Sequence, residues 1–331
     1  MINEICDQIL ANNWLKKIEQ IQLLTGDASG RKYFRVIAEN KTYIICDDKT
    51  LMEKKEDHAF LVMQKILAEN KISIPDVLQV DLKNGLIMQS DLGDITLLSH
   101  LATANENDVL KMYQIAIESQ LKINLIVASS INKNFEPFVL KFDSVKLMQE
   151  MDLTIKHFLR SYLEIYDENL LLLIREELAV LVKEIEELPT CLVHRDFHSR
   201  NIMVQNNNLF IIDFQDARQG IPQYDLVSLV DDCYFKISEN GKEYLKKYYF
   251  SRAKEEGLMK VTQDEFEYQY KLMKIPRTLK AIGSFCFIND TKNNPRYLKY
   301  VGYAFNNIRE VIIGDQKLKN LKKLVQNYYE K

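Results

Sequence analysis

The sequence predicts a two-lobed α+β chain, with a small lobe built on an antiparallel sheet and a larger, mostly helical lobe. Three observations predict it. Short β-prone runs at 33–37, 43–46, 77–80 and 86–88 crowd residues 1–90 around one helical stretch. Beyond Asp94, apolar residues recur at helical spacing over long segments. At 191–213 a polar loop and two short strands interrupt those helices.

Each element follows from local pattern. Ile2, Ile5, Ile9, Leu10, Trp14 and Leu15 fall at helical spacing and predict an amphipathic helix over 2–20. The first two strands flank the turn-like Glu39-Asn40-Lys41. A helix is expected over 53–69, with Phe60, Leu61, Gln64 and Leu67 along it. The next two strands flank Lys83-Asn84-Gly85, a hairpin turn. Polar residues and a glycine in Gln89-Ser90-Asp91-Leu92-Gly93 then end the last strand, so the expected lobes are 1–90 and 91–331. Helices are expected at 107–127, 142–158, 159–187, 224–235, 240–256, 263–288, 295–312 and 315–329.

Composition narrows the class of function. The chain of 331 residues is 47% hydrophobic and 27% charged, as in soluble globular proteins. Its 44 Lys and Arg against 47 Asp and Glu leave a net charge of −3, without the basic surplus of a nucleic-acid binder. Five dispersed cysteines form no C-x-x-C pair and read as reduced thiols. No apolar run approaches the roughly 18 residues of a membrane span, and the N-terminus lacks a signal-peptide pattern. A cytoplasmic protein with a small-molecule substrate, no membrane association and no obligate protein partner is expected.

The chemistry is carried by Val193-His194-Arg195-Asp196-Phe197-His198-Ser199-Arg200-Asn201 and, after a second apolar run, Asp213-Phe214. Phosphoryl transfer from a magnesium-bound nucleotide needs these parts: a carboxylate to take the proton of an attacking hydroxyl, and two hard oxygen donors for the metal. Asp196 is the candidate catalytic base, and Asn201 and Asp213 are the candidate metal ligands. His194 is expected to brace the loop. His198 and Arg200 lie inside the loop and are candidates to touch a substrate. Asp225 is expected to cap the helix it begins, to tie down the loop backbone, or to do both. Upstream, Gly26, Asp27, Ala28, Ser29 and Gly30 form a small-residue loop whose amides suit phosphates.

These motifs resemble the aminoglycoside phosphotransferase and choline kinase-like family, a branch of the protein-kinase-like bilobal fold. Gly26-Asp27-Ala28-Ser29 with Arg31-Lys32-Tyr33-Phe34-Arg35-Val36 resembles one subgroup in particular. So do Ser90-Asp91-Leu92-Gly93-Asp94, Asp213-Phe214-Gln215-Asp216-Ala217, Tyr224-Asp225-Leu226-Val227-Ser228-Leu229, Asp232-Cys233-Tyr234, the segment from Arg277 to Phe285, and Pro295-Arg296-Tyr297-Leu298. That subgroup holds the anomeric kinases for N-acetylmuramate and N-acetylglucosamine of bacterial cell-wall recycling. The resemblance implies ATP and Mg2+ as cofactors, a nucleotide loop at Gly26 to Gly30 and adenine held near Gln89 to Asp91. It also implies transfer of the γ-phosphoryl to an anomeric hydroxyl, giving a sugar 1-phosphate.

One departure from the pattern stands out. A kinase small lobe carries a lysine on its third strand, paired with a glutamate of the next helix. Here that strand reads Tyr43-Ile44-Ile45-Cys46-Asp47. Arg35, Arg31 and Lys49 are the candidate replacements, with Glu53 or Glu56 as the partner. For the carboxylate of N-acetylmuramate, Arg218, Arg277 and Arg296 are candidate cations, and Arg277 and Lys280 can share a helix face. Asp216, Asp231 and Asp232 are candidates for sugar hydroxyls.

The sequence also admits rival readings. The run from Asp213 to Asp225 is too short for a peptide-presenting activation segment, which argues against a protein kinase. A choline or aminoglycoside kinase stays open through Asp216, Asp231, Asp232 and Tyr234. A nucleotide-binding pseudokinase is favoured by the missing lysine and opposed by the complete catalytic loop.

Overall fold

The computed structural model describes residues 2–24, 30–126 and 136–329. The chain divides into two compact units. One comprises Met1–Leu97 with Asn201–Asp216, and the other Leu98–Arg200 with Ala217–Lys331. The first unit runs past the expected boundary at 90 and includes a segment distant in sequence.

In the first unit, α1 (Ile2–Ala11) precedes β1 (Gln20–Leu24), β2 (Lys32–Ala38) and β3 (Lys41–Asp47). Next come the short α2 (Thr50–Lys54), α3 (Ala59–Glu69), β4 (Val77–Asp81) and β5 (Leu86–Ser90). The strands form one antiparallel sheet in the order β1-β2-β3-β5-β4. Alternation along β2 decides what each face does. Phe34, Val36 and Ala38 point to a core that also takes Ile5, Ile9, Leu15, Ile45, Leu86 and Met88. Tyr33 and Arg35 point to the opposite face. The helix expected over 2–20 stops at Ala11, and β1 follows it. Trp14 and Ile18 pack on the core without helical structure. The β2–β3 turn has Glu39 and Asn40 at φ 54° and 60°, the left-handed pair that a two-residue hairpin requires. A second hairpin, β7 (Ile202–Gln205) with β8 (Asn208–Ile211), belongs to this unit and turns the same way at Asn206 and Asn207. The preceding strand, β6 (Cys191–Val193), lies in the other unit.

The second unit is mostly helical. After α4 (Leu97–Leu101) come α5 (Glu106–Asn124), α6 (Glu136–Val139), α7 (Ser144–Thr154) and α8 (Glu168–Glu186). After β6 (Cys191–Val193) and β9 (Arg218–Gly220), which pair antiparallel, come α9 (Gln223–Val230), α10 (Glu239–Glu255), α11 (Gln263–Lys292), α12 (Val301–Gly314) and α13 (Lys319–Tyr329). Four expected helices, 142–158, 159–187, 224–235 and 295–312, are divided or shortened. α7 passes into a π-helical segment, Ile155–Tyr162, and α8 starts afresh where Asp167 caps its first amides. The 295–312 segment opens as a 3-10 helix, Pro295–Tyr300. α9 ends at Val230, short of 235. None of the described helices is long and apolar enough to cross a membrane.

α11 matters most for the site. Gly283 lets it approach α7 closely, since a Cβ there would lie 2.3 Å from Thr154 Oγ1. That hydroxyl donates to Leu279 O at 2.9 Å, one turn beyond Pro276 inside the helix. The packing sets the face on which Arg277 and Lys280 sit.

Candidate active site

In the second unit the loop after β6 is braced from below by two buried carboxylates. Asp225 accepts from the amides of His194 (2.6 Å) and Arg195 (3.0 Å). Asp232, just past α9, accepts from the amides of Ser199 (3.0 Å) and Tyr234 (2.8 Å). Both acids are buried, and each unmet buried amide would cost about 1–3 kcal/mol. Asp225 does not cap its helix, because the N-cap is Pro222. Its carboxyl belongs to the loop. Asp232, expected to meet sugar hydroxyls, has both oxygens taken up by backbone. The bracing has a purpose, since Arg195 is held at φ 86°, which side chains rarely adopt. His194, itself buried, accepts from the Asp196 amide through Nδ1 at 3.3 Å.

Asp196 therefore sits on a fixed turn. Its Oδ1 lies 2.6 Å from Lys280 Nζ on α11, and its side chain is 24% exposed. Burial works to raise its pKa, but the charges of Lys280, Arg195 and Arg277 outweigh this and hold it well below the usual carboxylate range. The group is an ionised acceptor throughout the physiological range. Burial likewise brings His198 down to about 3, assisted by Arg277, Lys280 and Arg200 and opposed by Asp196, so its ring is neutral. Asp225 goes the other way, up to about 6, because burial outweighs its backbone donors.

The other polar candidates of this unit are placed differently from one another. Arg277 is buried and its Nε donates to Ser228 Oγ, so its charge supports Asp196 and Asp232 from behind. It is not an open fork for a substrate carboxylate. Arg218 is also buried, with its guanidinium 5.1 Å from the Phe142 ring centre. Arg296 is exposed and lies over Tyr297. Arg200 spans the rings of Tyr234 (4.9 Å) and Tyr297 (5.3 Å), and His198 meets Tyr234 edge to face. Asp231 is consumed by a buried cluster of Lys242, Lys274 and the Tyr270 hydroxyl, and is unavailable to sugar. Lys280 was visible in the sequence only as a helix-face neighbour of Arg277. Nothing local announces a contact with Asp196.

In the first unit, a cavity of about 490 Å³ lies against the sheet, within the size range of small-molecule sites. Arg31, Tyr33, Arg35 and Ile44 line it, as do Gln89, Ser90, Asp91 and Gly93 of the segment after β5. Asn201, Asp213 and Asp216 line it as well. Asn201 Nδ2 is 3.2 Å from Asp213 Oδ2, and Gln215 Nε2 donates to Asp213 Oδ1 at 2.6 Å. Asp213 itself is at φ 65°, a strained setting that exposes its carboxylate. Phe214 anchors it by stacking on Phe60 at 5.0 Å. A carboxylate beside an amide oxygen is the hard donor set that magnesium takes from protein while keeping sites for phosphates. Asp216, expected at the acceptor, lies on this cavity with Asp213.

The expected phosphate cations also separate. Arg35 is clamped by Asp91 (Nε to Oδ2, 2.6 Å), by Asp94 (2.9 Å) and by Gly93 O (3.2 Å). It staples β2 to the segment after β5, which accounts for Ser90-Asp91-Leu92-Gly93-Asp94 and removes it as an open phosphate cation. Lys49 pairs with Asp47 and donates to Asn84 O, outside the cavity lining. Arg31 lies against Asp48 (2.9 Å). Glu53 and Glu56 are exposed. Of the small-residue loop, Gly26, Asp27, Ala28 and Ser29 lie outside the described residues. Gly30 is exposed.

The chain is similar to known proteins along most of its length. The N-acetylmuramate/N-acetylglucosamine kinase of Pseudomonas aeruginosa is 26% identical over 91% of this chain and 86% of its own length. The enzyme of that name from Neisseria meningitidis serogroup B is 26% identical over 94% of this chain and 97% of its own. Among solved structures, an ADP-bound aminoglycoside phosphotransferase superposes with a TM-score of 0.61, covering 93% of this chain and 98% of its own at 20% identity. The family model described as the phosphotransferase enzyme family matches residues 20–258, and the chain belongs to that family.

Proposed function

We propose that this chain is an ATP-dependent kinase that phosphorylates the anomeric hydroxyl of N-acetylmuramate, N-acetylglucosamine or both, giving the sugar 1-phosphate for peptidoglycan recycling. The observation that carries the reading is Asp196, an ionised carboxylate fixed by Lys280 on a doubly braced loop. An anomeric hydroxyl is more acidic than an ordinary alcohol, so a weak carboxylate base suffices to orient it and take its proton late. The names and coverage of the curated relatives support the amino-sugar acceptor.

The roles divide between the units. Asp196 receives the acceptor's proton, Lys280 keeps the carboxylate charged, and Asp225, Asp232 and His194 hold the loop. Asp213 and Asn201 would hold magnesium, whose charge would neutralise the nucleotide phosphates as the bond to the leaving group lengthens. Backbone groups near Gln89 and Ser90 would hold adenine. A reaction fed by ATP fits the cytoplasm.

A choline-like acceptor is the alternative to weigh. Quaternary ammonium groups are recognised on aromatic faces, and Tyr234 and Tyr297 offer two. Arg200 already covers both rings, which disfavours a second cation there. Purified protein given magnesium-ATP with N-acetylmuramate, N-acetylglucosamine, choline or kanamycin separates the readings. Phosphorus NMR should show an anomeric phosphate with the sugars alone. Turnover of choline or kanamycin without sugar turnover would overturn the assignment.

A further inference from the structure

We propose that Arg31, held by the buried carboxylate of Asp48, is the cation that binds the nucleotide phosphates, in place of the lysine absent from β3. The inference rests on the reading of this chain as a nucleotide phosphotransferase and names the residue pair that serves it.

Sheet geometry leads to this pair. The β2–β3 register aligns Lys32 with Asp47 and Tyr33 with Cys46, so one further step sets Arg31 opposite Asp48. Period-two alternation puts 31, 33 and 35 on one face, the face that lines the cavity. The matching β3 positions are Ile44 and Cys46, neither of them charged. Arg31 and Arg35 are the cations among the described residues lining the cavity. Arg35 is clamped on several sides by Asp91, Asp94 and Gly93 O. Arg31 is engaged by Asp48 at the Nε edge, one of the five N–H donors of a guanidinium.

Asp48 is built to hold a cation. Its Oδ1 accepts from the Thr50 amide (3.0 Å) and hydroxyl (2.7 Å), and its Oδ2 lies 3.2 Å from Nε2 of the buried His58. Gly85 supports its backbone, since Asp48 N donates to Gly85 O at 2.9 Å and a Cβ on Gly85 would meet Asp48 O at 2.7 Å. The ion pair of a kinase small lobe thus moves sideways by one strand. Its cation comes from the start of β2 and its acid from the end of β3, and the helix acids Glu53 and Glu56 stay in solvent. A planar fork suits phosphate oxygens better than a point charge does.

The test is nucleotide binding by the full chain, measured calorimetrically for magnesium-ATP and for adenosine. Arg31→Gln should weaken ATP by about ten- to a hundredfold, the worth of a charge-assisted contact, and leave adenosine unchanged. Arg31→Lys should recover part of the loss. Arg35→Gln, which loosens the cavity wall, should weaken both ligands alike. Unchanged ATP affinity in Arg31→Gln, equal loss of both ligands, or a phosphate-dependent loss in Arg35→Gln instead would overturn the proposal. The measurement needs no acceptor, so failure to phosphorylate an amino sugar would count against the acceptor reading and not against this one.

Discussion

Lys280 Nζ stands 2.6 Å from Asp196 Oδ1, joining the long helix α11 to the loop after β6. The contact explains how a carboxylate in a partly enclosed setting stays ionised. It also makes Lys280 a determinant of the acid side of the pH profile. Removing its charge in Lys280→Met should raise the Asp196 pKa, because burial then favours the neutral acid more strongly. The acidic limb of kcat/KM should move to higher pH, while the rate at high pH falls less. An unmoved limb would exclude Asp196 as the group titrating there.

Asp196→Asn keeps shape and removes the acceptor of the proton. Turnover should fall by about a hundred- to ten-thousandfold, the usual worth of general base catalysis. ADP affinity should change by about twofold or less, since Asp196 does not line the cavity proposed for the nucleotide. Near-normal turnover would remove Asp196 from the role of base.

Asp213→Asn should abolish turnover and strip nucleotide binding of its dependence on magnesium. Asn201 beside it offers only an uncharged oxygen. Titration of ADP with and without magnesium checks this, and a retained magnesium effect would point to Asp216 on the same cavity as the metal's anchor.

His198 links the loop to acid stability. Its folded pKa, about 3, lies below the ordinary 6.5, with burial as the main cause. A depressed pKa contributes stability that is present above the unfolded value and is lost as pH falls from 6.5 towards 3. His198→Gln should therefore show a flatter fall of Tm across that window than the parent. Parallel curves would mean that the ring is solvated.

Arg277→Ala should impair N-acetylmuramate and N-acetylglucosamine alike, because the guanidinium is buried against Ser228 and acts on Asp196 from behind. The variant should also lose about 1–3 kcal/mol of stability from the buried groups left unpaired. A loss confined to the sugar with a carboxylate would restore Arg277 to the acceptor surface.

The sequence by itself determined the parts of this protein that are local. Most of the strands and helices, the candidate catalytic loop from His194 to Asn201 and the candidate metal donors Asn201 and Asp213 follow from spacing and residue type. Those properties are set by bonds along the chain. Tertiary structure decided which charges meet. Arg35 is consumed by Asp91 and Asp94, Asp231 by two lysines, and Asp232 by backbone amides, while Lys280 reaches Asp196 across 84 positions of sequence. Helix ends were the other loss. Trp14 and Leu15 continue a helical rhythm after the helix has stopped, since burial on a common core rewards apolar residues whatever their backbone. An ion pair depends on where two side chains end, and the packing of separate elements, such as α11 on α7 at Gly283, sets that distance.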